Sequence, residues 1–206
     1  MGRKIARARF SARIFWLLIA ATLWPGQVAA DATFMITGKR TSQPIGHLNF
    51  CKLNPEECAV RSPVDIPERQ TPELRSLLAS VNLSVNEAVK PKSDLAIYGK
   101  DEVWAYPDQE GDCEDYVLLK RRNLLEQGLL PSNLLITVVR LSNGEGHAVL
   151  TVRTDRGDFI LDNLTDQVSA WEKTEYRYIK RQASDDTGRW VAIHSGDDTS
   201  LVGAIH

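Results

Sequence analysis

What this 206-residue sequence has little of already removes several classes of function. It has no basic run interleaved with aromatic residues, and an acidic surface repels phosphate, which argues against nucleic acid as a partner. Its apolar run, Ile14 to Trp24, is about 11 residues long, well short of the roughly 20 that a bilayer-spanning helix needs. Cysteine is down to three residues, Cys51, Cys58 and Cys113. No second pair of Cys or His stands at zinc spacing from Cys51 and Cys58, so a structural zinc site is not indicated.

What is present begins with a processing signal. Residues 1–30 carry Arg3, Lys4, Arg7, Arg9 and Arg13 with no acid, then the apolar run, then Val28, Ala29 and Ala30 as small residues at a cleavage site. This is the layout of a secretory signal peptide, with the mature chain expected to start at Asp31. Without those five basic residues, the 25 Lys and Arg become 20 against 27 acids, and the net charge falls to about −7. Residues 31–206 suffice for a single domain, with its core expected over about 70–194.

Prolines and glycines punctuate residues 31–72, which read as an irregular segment clipped by a Cys51–Cys58 disulfide, in keeping with an oxidising compartment. Leu74, Leu77, Leu78, Val81 and Val85 predict a helix from Pro72 to Val89, capped by Thr71. Residues 90–112 read as loop or a short helical turn. A second helix is expected from about Asp112 or Cys113 to Gln127, with Val117, Leu118, Leu124 and Leu125 inward and Lys120, Arg121 and Arg122 outward. Three strands follow, over 134–141, 147–153 and 158–162, as an antiparallel meander. The stretches 176–180 and 190–194 add one or two more strands, and the tail after Ser195 reads as loosely held.

This order puts Cys113 at a helix start, His147 at a strand start and Asp162 at a strand end. A thiol left over in an oxidising compartment needs burial or a use. If the loop between the second and third strands is the two residues Asp155 and Arg156, Val149 faces Asp162 and His147 becomes its diagonal neighbour on the same face. A one-residue change would separate them. His147 can then take the Cys113 proton, Asp162 can fix the imidazole, and the helix start favours a thiolate, which together describe acyl transfer through a thioester. The bland alternative is an inert cysteine, a surface histidine and a turn aspartate.

At these residues the sequence resembles the bacterial transglutaminase-like cysteine peptidases. The resemblance is carried by Trp104 to Pro107, the Gly111-Asp112-Cys113-Glu114-Asp115-Tyr116 block, Gly146 to Leu150, and Leu161 to Leu164, and covers roughly residues 40–180. It implies an α+β, papain-like or transglutaminase-like fold, with the cysteine helix packed on an antiparallel sheet and a triad of Cys113, His147 and Asp162. From its best-understood branch it implies a periplasmic endopeptidase that releases surface adhesins, with a protein substrate and a membrane-bound regulator. It also implies a calcium ion held by Asp112 and Glu114, with Asp115 as a third ligand. Carboxylate oxygens suit such a hard cation, although the same acids could simply complement the helix dipole. The candidate oxyanion donors are the Cys113 backbone N–H with a second group from Trp104 or Gln43. The competing readings are amide transfer to an amine and a non-catalytic, calcium-dependent binding module.

Overall fold

Hydrophobic alternation and turn chemistry place most of the elements. The computed structural model describes residues 1–2, 34–62 and 65–194, so the expected signal peptide, its cleavage site and the tail after Ser195 lie outside the described residues. Among the described residues no helix is long and apolar enough to cross a membrane.

A seven-stranded antiparallel sheet forms the body. In chain order its strands are β1 (Thr37–Thr41), β4 (Leu134–Arg140), β5 (Gly146–Thr154), β6 (Gly157–Leu161), β7 (Ser169–Ala170), β8 (Arg177–Ala183) and β9 (Asp186–Ile193). Their spatial order is β1-β9-β8-β4-β5-β6-β7, so the expected meander β4-β5-β6 sits inside a larger sheet. Two short strands, β2 (Lys90–Pro91) and β3 (Glu110–Gly111), pair in parallel beside it.

The helices are α1 (Ile45–Leu53), α2 (Pro55–Cys58), α3 (Pro72–Ala88), α4 (Asp94–Tyr98) and α5 (Cys113–Glu126). α3 begins as its sequence indicates: the Thr71 hydroxyl accepts the Leu74 N–H at 3.1 Å and Pro72 occupies the first turn. Its apolar stripe, Leu78, Val81 and Val85, meets Tyr116, Val117, Leu118 and Leu124 of α5 over Leu134, Ile136, Leu150 and Val152 of the sheet. Met35, Val139, Val149, Ile160, Tyr178 and Ile193 make a second cluster.

Two expectations are corrected. Residues 31–72 are not merely irregular, because they supply β1, α1 and α2. Gly46, which reads as a chain breaker, sits inside α1 because the Trp104 indole packs so closely that a Cβ there would lie 2.3 Å from it. Lys120 and Arg121 do not face solvent. They are 0 % and 3 % exposed. Arg121 pairs with Glu57 at 3.1 Å, and its Nε donates to the Leu134 carbonyl at 3.1 Å. The helix is enclosed by α3, β5 and the α1–α2 segment, and its polar residues must find partners inside.

The Cys51–Cys58 disulfide is formed, joining α1 to α2. Glu57, within the loop it closes, accepts from Tyr106 Oη at 2.6 Å as well as from Arg121, and so ties the clip to α5.

Candidate active site

The two-residue turn between β5 and β6 sets the register on which the site depends. Thr154 pairs with Gly157 across Asp155 and Arg156, and the ladder runs to Leu150 opposite Leu161. The next residues along are Val149 and Asp162, with His147 diagonal to Asp162. Gly157 takes φ +125°, a conformation open to glycine, which lets so short a turn close. His147 Nε2 meets Asp162 Oδ1 at 2.8 Å, with the residues 6 % and 1 % exposed.

Asp162 is held on all sides. Oδ1 also accepts the Leu164 N–H at 3.0 Å, and Oδ2 accepts the Tyr176 hydroxyl. Burial alone would raise its carboxyl, but the bonds from His147, Leu164 and Tyr176 prevail and hold it below the usual range. Tyr176 also sets its ring edge-on to His147, with centroids 5.8 Å apart. Its part in the site has no sequence signal, because it lies 14 residues from Asp162 in a segment read only as strand.

Cys113 opens α5 and lines a cavity of about 500 Å³ together with His147, Ala148, Trp104, Glu114 and Ile45. His147 and Ala148, at the start of β5, line this cavity together with the thiol. Because Asp162 engages Nε2, Nδ1 is the ring nitrogen free to take the thiol proton. The thiol itself donates to Glu114 Oε2 at 2.8 Å. Burial, then the Glu114 charge, push it well above the ordinary thiol range. In this arrangement those two effects outweigh the helix start that was expected to favour a thiolate.

The acids beside the thiol divide differently from the expectation. Asp112 and Asp115 come together with Asp94, the N-terminal residue of α4, with one carboxylate oxygen of each within 4.8 Å of the others. Glu114 turns to the thiol instead. Gly111 permits the approach, since a Cβ there would lie 2.7 Å from the Asp115 carboxylate. Asp115 Oδ1 accepts the Ala105 N–H at 2.8 Å and Asp94 Oδ2 the Val103 N–H at 2.5 Å. One further oxygen of each, Asp94 Oδ1, Asp112 Oδ1 and Asp115 Oδ2, is buried without a hydrogen-bond partner among the described residues. Burial first and the Glu114 charge second raise Asp112 to about 8, and burial first raises Asp115 to about 7 and pushes Asp94 up. Three clustered carboxylates, each with a buried oxygen left orphaned, fit a hard divalent cation. Asp94 escaped the sequence reading because it stands 18 residues before Asp112, outside the local acidic block.

Of the two oxyanion candidates, Trp104 lines the thiol cavity, and its indole N–H, near the Glu102 carboxyl, makes no well-formed hydrogen bond. Gln43 is corrected. Its amide lies 2.6 Å from His47 Nδ1 and donates to Cys51 Sγ at 3.1 Å, and it borders a separate cavity with Arg40 and Trp190. His47 is buried and kept neutral, lowered to about 3 by burial and then by the Arg121 charge.

Residues 37–198 match the family model of the bacterial transglutaminase-like cysteine proteinases. The chain belongs to that family. It is a transglutaminase-like cysteine peptidase, a hydrolase whose substrate is protein, and its mixed helices and antiparallel sheet are that family's α+β fold. Calcium-bound LapG of Legionella pneumophila is similar in structure, with a TM-score of 0.50 and 25% identity, covering 60% of this chain and 71% of that one. A second LapG structure from the same organism gives 0.49 and 27% over the same shares. Among curated protein sequences none matches.

Proposed function

We propose that this chain is a secreted, periplasmic cysteine endopeptidase acting through Cys113, His147 and Asp162. The observation that carries the reading is the buried 2.8 Å bond from His147 Nε2 to Asp162 Oδ1, with His147 lining the same cavity as Cys113. In the reaction His147 Nδ1 takes the thiol proton as sulfur attacks the scissile carbonyl. Asp162 holds the ring and stabilises the imidazolium. His147 then protonates the leaving amine, and water, activated by the same nitrogen, hydrolyses the thioester. The Cys113 backbone N–H and the Trp104 indole are the groups suited to the developing oxyanion.

Calcium enters the proposal as an ion held by Asp94, Asp112 and Asp115. The orphaned carboxylate oxygens support it, as does the calcium-bound state of the LapG relative. Such an ion would neutralise the buried acids and order the segment that precedes the nucleophile. The acidic mature composition and the basic, then apolar, N-terminus support secretion. For the substrate we propose a cell-surface protein of the adhesin type, with a membrane-bound regulator restraining the enzyme.

The test is incubation of the purified protein with such a surface protein, followed by mass spectrometry of termini. New N- and C-termini are expected, absent in Cys113→Ala. Isopeptide cross-links in place of new termini would establish amide transfer instead. Slow, unselective alkylation of Cys113 with no turnover would leave only a binding module.

A further inference from the structure

Lys120 is a buried charge to which the peptidase mechanism gives no task. It lies two turns along α5 from Cys113, 0 % exposed. Its Nζ donates to Asn82 Oδ1 at 2.8 Å. That same oxygen accepts the backbone N–H of Asp162 at 3.0 Å. Asn82 Nδ2 reaches on to the Thr165 carbonyl at 2.9 Å, and Asn86, one turn further along α3, donates to the Asp162 carbonyl at 3.0 Å. The residue that orients His147 is therefore fixed at its main chain by α3, and the oxygen that fixes it is itself fixed by Lys120.

An ammonium taken out of water is destabilising unless opposing charge lies near. The charges that act on Lys120 are Asp162 and Asp166, both from the segment after β6. From its own helix it meets the Tyr116 ring at 5.8 Å, and from α3 the neutral Asn82. Burial draws the amine down and the two carboxylates pull it partly back, leaving it lowered to about 7.

We propose that Lys120, through Asn82 and through its charge beside Asp162, is a positioning residue that sets how firmly Asp162 holds a proton on His147. This rests on the triad reading above. With Lys120 charged, part of the Asp162 charge is offset, and the imidazolium formed after attack is held less tightly. His147 then releases its proton to the leaving amine more readily. Asn82 supplies the geometry and Lys120 the electrostatic balance.

The experiment follows the His147 ring signals of the full-length chain by NMR against pH, in the Cys113→Ala background, with assignment from His147→Gln. Adding Lys120→Met is expected to move the His147 titration upward by roughly one pH unit, tenfold in proton affinity. Lys120→Gln, which keeps a donor for Asn82, is expected to do the same should the Met variant fold poorly. Lys120→Arg, which keeps the charge, is expected to leave the midpoint in place. With Cys113 intact, the acid limb of the kcat/KM profile moves in the same direction. An unmoved His147 midpoint in both neutral variants overturns the proposal. An equal movement in Lys120→Arg overturns it too, because shape rather than charge would then be responsible. A wild-type chain without hydrolytic activity would retire the peptidase reading while the NMR result still decides the Lys120–Asp162 coupling.

Discussion

Glu114 stands between two roles that its neighbours keep separate. It follows Cys113 in sequence, accepts the thiol proton's hydrogen bond and contributes to raising Asp112, yet Asp94 takes the place among the acids that local spacing assigns to it. Its carboxylate keeps the thiol protonated by making the adjacent negative charge of a thiolate unfavourable. Glu114→Gln removes that charge while keeping the side chain's shape. Alkylation of Cys113 by iodoacetamide at neutral pH in chelator is therefore expected to be several-fold faster in this variant than in wild type. An equal or slower rate would show that burial alone holds the thiol neutral. The three aspartates give a prediction of opposite character. Asp112 and Asp115 are raised in the fold to about 8 and about 7, far above the ordinary carboxylate range, so between roughly pH 4 and 8 the folded state binds more protons than the unfolded one. The stability that these groups contribute is present at low pH and is lost as pH rises. In chelator, thermal melts should fall between pH 5 and 8 by more in wild type than in Asp112→Asn/Asp115→Asn. Added calcium should raise Tm more at pH 8 than at pH 5.

The disulfide clip reaches the site through one side chain. Glu57 sits inside the loop closed by Cys51 and Cys58 and bonds Arg121 of α5 and Tyr106, so the clip helps to hold the helix that begins with Cys113. Cys51→Ser/Cys58→Ser should lower unfolding free energy by about 2.5 kcal/mol from loop entropy for so short a loop. Glu57→Ala should cost about 3–5 kcal/mol, because it leaves the Arg121 guanidinium buried and unpaired. Denaturant titration ranks the two, and a smaller loss in Glu57→Ala would mean that Arg121 finds solvent. These elements also mark the limits of the sequence. The helix α3, the meander and the His147–Asp162 pairing were legible because each follows from a local rule: a cap, an alternation, a two-residue turn. α1 was not, because Gly46 serves close packing against Trp104 rather than a break. The burial of Lys120 and Arg121 was not either, because a Lys-Arg-Arg run looks the same whether it meets water or partners 38 and 64 residues away.

For the molecule as a whole, the family and the α+β architecture follow from the sequence blocks around Cys113, His147 and Asp162, while the partition of charge inside the fold needed the three-dimensional contacts. Two cations buried on one helix illustrate what that partition does. Lys120 and Arg121 moor the middle of α5 to α3 on one side and to the clip on the other. Its first turn depends instead on the aspartates around Asp112. The helix should therefore open in two stages, as independent cooperative units rather than as a rod. Amide hydrogen exchange would record this as a boundary within α5. In chelator, protection should fall at Tyr116, whose N–H bonds the Asp112 carbonyl at the helix start. The amides near Leu124 should keep exchanging only at the rate of global unfolding, so that withdrawal of a cation would loosen the turn of Cys113 without melting the protein.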